Sequence, residues 1–214
     1  MNRVFVVGFG KFGQLAIPRI QQRWPRAKIW IIDQSPENLA QGRDMTAIKV
    51  LEEGGAFLWE FQDRLRPGDW IIPAVPVHLA GEWLRRILGR EQPVRTIKPP
   101  RMLGAGLPFS LYLKVDLYVS LADFECPENC PSPRGFCFRT REKRTLRLWK
   151  ILASRAPTRG TLHIIQSRQL APGLGGYRFE DLRKLHEMSR RWDPPVYLAT
   201  ACPCHGVISG LTWK

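Results

Sequence analysis

Val4-Phe5-Val6-Val7-Gly8-Phe9-Gly10-Lys11-Phe12-Gly13-Gln14-Leu15-Ala16 is the stretch from which the architecture is read outward. Residues 3–7 form a short β-branched apolar run of the kind that makes a buried strand. The run opens directly into G-x-G-x-x-G, and a helical segment from about Phe12 to Trp24 follows. The three glycines have distinct physical roles, with a tight turn at Gly8, close approach of an anion to the backbone at Gly10, and close packing of helix on strand at Gly13. The helix N-terminus adds unsatisfied N–H groups that favour a pyrophosphate. A second apolar run, Lys28 to Ile32, ends at Asp33, where a carboxylate can accept hydrogen bonds from ribose hydroxyls. A carboxylate there favours NAD(H), because a 2′-phosphate would meet a like charge. Gly8, Gly10, Gly13 and Asp33 are the candidate cofactor-binding residues.

Outward from this core the alternation continues. Strands are expected at Ala47–Leu51, Trp70–Val75 and Val94–Ile97, with helices at Phe57–Leu65 and Val77–Leu88. Strands alternating with helices at this spacing predict a Rossmann-like, doubly wound parallel sheet over residues 1–98. Pro18 predicts a kink in the first helix. His78 follows the fourth strand, where a ligand crevice lies in such a sheet, and is the candidate catalytic acid–base group. The competing reading is a histidine packed in the first turn of a helix.

The first ninety or so residues resemble the TrkA-N (RCK N-terminal) type of NAD-binding domain, on VFVVGFGKFGQLA, IWIID and the strand–helix order. The resemblance implies binding of NAD(H) or another adenine nucleotide, often in regulation of potassium transport. Leu51-Glu52-Glu53-Gly54 and Pro73-Ala74-Val75-Pro76-Val77-His78 depart from that family's pattern after the third and fourth strands.

Paired prolines and glycines make residues 99–110 a linker. Residues 111–214 then predict a smaller α/β domain with strands at Tyr112–Leu121, Thr161–Ile165 and Val196–Ala199 and helices at Thr145–Ser154 and Phe179–Arg191. Its order implies parallel strands, whose carboxyl-end loops share one edge. Cys126, Cys130 and Cys137 follow the first strand, a Ser167–Gly176 loop the second, and Cys202-Pro203-Cys204-His205 the third. These five cysteines and His205 are the candidate metal ligands, for an iron–sulfur cluster or zinc. An odd number of cysteines in close groups fits metal or thiol chemistry better than a disulfide framework. Scattered free thiols are the plain alternative.

The formal net charge is +14, with 33 Lys+Arg against 19 Asp+Glu, so anionic partners are favoured: a small-molecule ligand, with nucleic acid less favoured. Between Arg134 and Arg159 the basic residues are opposed only by Glu142. A protein partner or homo-oligomer is a further expectation. No apolar run reaches membrane-spanning length and no signal-peptide layout opens the chain, which leads to a cytoplasmic expectation. Three functions follow: a redox enzyme or redox sensor joining NAD(H) to a cysteine-ligated metal; a TrkA-like regulatory nucleotide-binding protein; and a zinc-containing nucleic-acid binder.

Overall fold

Strand β1 (Arg3–Val7) buries Val4 to Val7 completely, as a strand with neighbours on both sides and helices on both faces requires. In the computed structural model, which describes residues 2–43 and 45–213, β1 leads through the glycine turn into helix α1 (Lys11–Arg23). The helix continues through Pro18. There follow β2 (Lys28–Asp33), α2 (Pro36–Ala40), β3 (Ile48–Leu51), α3 (Gly54–Glu60), β4 (Trp70–Pro73) and α4 (Leu79–Leu88). Ser35 caps α2 by accepting the Asn38 N–H, with Pro36 at the first helical position. Glu53 caps α3 by accepting from the Gly55 and Ala56 N–H groups.

The second half contributes β5 (Arg95–Ile97), β6 (Phe109–Leu113), β7 (Asp116–Ser120), β8 (Gly135–Phe136), β9 (Lys143–Arg144) and α5 (Leu148–Ala153). Then come β10 (Thr161–Gln166), β11 (Arg168–Ala171), β12 (Leu174–Arg178), α6 (Phe179–Ser189), β13 (Val196–Ala201) and β14 (His205–Thr212). The protein is a mixed α/β structure with two six-stranded sheets, the small β8–β9 ribbon and six α-helices among the described residues.

The first sheet has the order β11-β12-β4-β1-β2-β3. Its β4-β1-β2-β3 part is parallel throughout. α1 covers one face, setting Ala16, Ile17 and Ile20 against Val4, Val6, Ile29 and Ile31. On the other face α3 and α4 bring Phe57, Leu58, Leu79 and Trp83. The second sheet runs β10-β13-β14-β7-β6, with β5 also paired to β14. β10 and β13 are parallel, whereas β14 is antiparallel to β13, β7 and β5. α5 seats Leu148 and Leu152 on this sheet with Leu117, Val119, Tyr197 and Ile208. α4 is buried between the two layers, because Leu198 of β13 and Leu211 of β14 join its cluster.

Several expectations are corrected. The strand at 94–97 is not a fifth strand of the first sheet; β5 pairs antiparallel with β14 in the second. The 112–121 run is two strands, β6 and β7, reversed at Lys114, whose φ is 56°. The second sheet is not all-parallel, since β14 inserts between β13 and β7. β14 escaped notice because its glycines and polar residues break the apolar run. The Ser167–Gly176 loop is the β11–β12 hairpin, and β12 extends the first sheet antiparallel to β4. The 99–110 segment is ordered rather than a linker: Leu103 is fully buried in the second core, and Arg155 donates to the carbonyls of Leu103 and Ala105. With β5 in one sheet and β12 in the other, the two halves interlock across the boundary at residue 98.

Candidate functional site

The three glycines differ in what surrounds them. Gly8 has φ +97°, and a Cβ there would collide with the Ala74 carbonyl, so only glycine fits the turn out of β1. A Cβ at Gly13 would collide with the Gly8 carbonyl oxygen, which sets how closely α1 packs on the loop. In front of Gly10 there is open space. Asp33, at the carboxyl end of β2, is buried and internally engaged. One of its oxygens accepts the Phe9 N–H at 2.6 Å, the other accepts the Ser35 N–H at 2.8 Å, and Asn38 Nδ2 donates to both. Its carboxylate therefore holds the glycine loop against the β2 end, and both of its oxygens, expected to receive ribose hydroxyls, are taken by the chain's own donors.

His78 stands at the N-cap position of α4, makes no side-chain hydrogen bond to the helix, and is 3% exposed. Ser209 donates its hydroxyl to Asp116 at 2.6 Å, so the 2.7 Å contact between His78 Nδ1 and Ser209 Oγ is donated by the imidazole. His78 Nε2 is buried without a hydrogen-bond partner. Burial pushes its pKa down to about 3, which keeps the ring neutral. The expected acid–base group at an open crevice is thus corrected: His78 joins α4 to the second sheet.

The cysteines do converge. β7, β10 and β13 point the same way, because β14 is antiparallel to both β7 and β13. The loops leaving their carboxyl ends accordingly meet at one edge, as expected, although a strand of opposite direction lies among them. There they enclose a cavity of about 380 Å³ lined by all five cysteines, His205, Arg139, Arg144, Gln169, Leu174 and Phe12. Phe12 belongs to α1, so the glycine loop's own helix supplies part of the wall.

The Cys126–Cys130 loop is clamped onto the first layer. Glu128 pairs with Lys11 at 2.5 Å, and its carbonyl accepts from Arg19 at 3.1 Å. The Cys130 carbonyl accepts the Gly173 N–H and the Gln169 side chain, each at 2.8 Å. Gly173, with φ +68°, turns between β11 and β12, and a Cβ there would collide with the Glu128 carbonyl. Phe12, Glu128, Gln169 and Gly173 were missed from sequence because their contacts span long separations. The one visible signal was Glu128, an acidic residue between two cysteines facing a lysine of the fingerprint.

Within the cavity the Cys126 sulfur lies 3.4 Å from His205 Nε2, and Cys202 Sγ lies 3.7 Å from His205 Nδ1. Arg144 donates to Cys204 Sγ at 3.3 Å and to the Leu121 carbonyl at 2.9 Å. Burial pushes the Cys126 thiol up, and the neighbouring sulfurs of Cys130, Cys204 and Cys137 add to this. Burial likewise raises Cys202 and Cys204. Burial also acts upward on Cys137, but donors from Thr140 and Arg139, with the Arg144 charge, bring it below the ordinary thiol value. Burial, then the Arg144 charge, lowers His205. Among the described residues no three His, Cys, Asp or Glu side chains stand grouped as a ready-made site for one metal ion.

The basic run is largely engaged with the chain itself. Arg139 donates to the Glu125 carbonyl and stacks over Phe124, Arg141 lies over Phe136 and Phe138, and Arg155 holds the 103–105 turn. No helix among the described residues is long and apolar enough to cross a membrane.

Fold and site together define a mixed α/β protein in which a glycine-turn sheet and a cysteine-lined cavity share a wall. The family model described as an uncharacterized protein's C-terminal domain matches residues 80–214, more than half of the chain, and the chain belongs to that family. The matched region begins inside α4 and includes every cysteine. A protein of Archaeoglobus fulgidus, itself described as uncharacterized, is 28% identical over 222 residues, covering 96% of this chain and 97% of its own. No solved structure matches the chain.

Proposed function

We propose that the parallel part of the first sheet is a Rossmann-like dinucleotide-binding layer. NAD(H) lies across its glycine loop, and the cavity beside it holds a cysteine-ligated metal, iron–sulfur ahead of zinc. The protein is then a redox enzyme or redox sensor. The order β3-β2-β1-β4 and the open space at Gly10 support the nucleotide. Thiols from three separate loops around one cavity support the metal.

The observation that carries the reading is Phe12: the helix that follows the glycine turn lines the cavity of the five cysteines. A dinucleotide at the loop and a centre in the cavity would be neighbours, as electron or conformational coupling requires. When bound, a cluster supplies one-electron chemistry. The chain's own residues position both sites: Gly8 and Gly13 shape the loop, Asp33 ties it to β2, and Glu128 joins Lys11 to the cysteine loop. Arg139 and Arg144 at the cavity favour a small anionic ligand. His78, buried against Ser209, does not line the cavity.

The test is anaerobic purification followed by iron, sulfide and zinc analysis, with NADH binding followed by its fluorescence. A metal centre together with saturable NADH binding that is lost in Gly10→Asp supports the reading. Metal-free protein under every loading condition removes the metal half. Absence of NADH and NAD binding removes the nucleotide half.

A further inference from the structure

The cavity between the two layers has an apolar wall as well as its thiols. Phe12 of α1, Phe136 and Phe138 of the β8–β9 ribbon and its turn, and Leu174 of β12 form that wall. Phe12 is 58% exposed and Phe136 37%, so rings from two distant parts of the chain stay open to water around one space. Apolar surface left against water costs free energy in proportion to its area, and a ligand with an apolar body removes that cost. The volume of about 380 Å³ falls within the range of about 300–1,000 Å³ typical of small-molecule sites, whose linings are likewise mostly apolar with a few polar groups.

The polar group best placed to orient such a ligand is Arg144 of β9, which is partly buried on the same cavity. Its guanidinium donates to the Leu121 carbonyl at 2.9 Å and to Cys204 Sγ at 3.3 Å. These two contacts fix the group at the wall and leave most of its donors unused. Neither Arg144 nor Arg139 forms an ion pair with a carboxylate among the described residues. Of the two glutamates on the wall, Glu128 is paired with Lys11 and Glu125 is exposed. A charge drawn out of water is ordinarily matched by an opposite one, because it otherwise loses hydration with nothing in return. One fixed, partly buried guanidinium matches a single negative charge, and its planar fork matches a carboxylate.

We infer that the cavity binds a small aromatic carboxylate, with its ring against Phe12, Phe136 and Phe138 and its carboxylate at Arg144. The inference rests on the anionic-ligand part of the reading above and needs neither the metal nor the nucleotide. Through Phe12 the ligand touches the helix that follows the glycine turn, so its occupancy is felt by both layers.

The experiment is isothermal titration calorimetry of the full chain with phenylacetate, benzyl alcohol, acetate and phenyl phosphate. Phenylacetate binds saturably. Benzyl alcohol, which lacks the charge, and acetate, which lacks the ring, bind about tenfold more weakly or worse. Arg144→Gln weakens phenylacetate by about tenfold or more and leaves benzyl alcohol unchanged, a selectivity that general loss of structure would not give. Phe136→Ala, at an exposed ring, weakens both by roughly two- to tenfold. Should Arg144→Gln fail to fold, the probe series on the unaltered chain and Phe136→Ala still decide. No phenylacetate binding, equal binding of benzyl alcohol, or indifference to Phe136→Ala overturns the inference, and tighter binding of phenyl phosphate overturns the carboxylate. Any of these results in protein that holds metal or binds NADH overturns this inference alone. Phenylacetate binding in protein that takes up neither removes the metal and nucleotide readings and leaves this one standing.

Discussion

Gly13 and His78 show how much a single position can carry. At Gly13 any side chain would enter the space of the Gly8 carbonyl, so Gly13→Ala must push α1 off the loop. Overpacking of this kind costs about 1–3 kcal/mol, and chemical denaturation should show a loss of that size; on the proposed nucleotide reading, NADH binding weakens with it. His78 makes a pH prediction. Its folded pKa of about 3 lies below the ordinary 6.5, so the unfolded chain binds the proton more readily. Its contribution to stability is complete above pH 6.5 and is lost as pH falls through that window towards 3. Burial raises Asp116, the next group in the chain of hydrogen bonds, and it acts in the opposite direction at the acidic end. His78→Asn keeps a donor towards Ser209 and removes the titration. Its denaturation midpoint should change less between pH 7 and pH 5 than that of the parent, and an unchanged slope would remove His78 as the source.

The β11–β12 hairpin is the element that connects the two candidate sites. Leu170 and Leu174 pack into the α1 face of the first sheet, while Gly173 and Gln169 hold the Cys130 carbonyl. Gly173→Ala would force the turn away from Glu128 and strain a backbone at φ +68°. A stability loss of about 1–3 kcal/mol is expected and, on the proposed metal reading, reduced metal retention. Gly106→Ala is the matched control: its φ of +69° carries the same strain, but nothing lies within 4 Å of the added carbon. If both variants behave alike in metal retention, contact with Glu128 is not what positions the cysteine loop. The Lys11–Glu128 pair itself is largely exposed and screened by solvent, so Glu128→Gln should leave the denaturation midpoint nearly unchanged.

At the scale of the whole molecule, the two sheets exchange parts around α4. β12 completes the first sheet at β4, β5 joins the second, and α4 is packed from both sides. A fragment of residues 1–98 would expose the β4 edge and the face of α4 that Leu198 and Leu211 cover. Such a fragment should aggregate or show poor amide dispersion by nuclear magnetic resonance. A well-dispersed spectrum would mean that the first layer is self-sufficient.

The glycine turn, the α1 face and the parallel β1–β4 core were legible because their signals are local: a short apolar run, a 3.6-residue stripe and three glycines at set spacing. The cysteine convergence was legible too, since β7, β10 and β13 share a direction whatever strand lies among them. Pairing partners were not. β5 carries no mark of which sheet it will join, and β14 hides behind glycines at positions 206 and 210, where Ala201 and Ile97 press close. Nor does an isolated histidine announce burial; His78 reads the same at a crevice or beneath Ser209. Local patterning selects elements and glycine positions because it acts through neighbouring dihedrals and periodic burial. Tertiary packing alone decided strand exchange, the clamp at Glu128 and the enclosure of the cysteine-lined cavity by Phe12 of α1, because each depends on atoms brought together from distant parts of the chain.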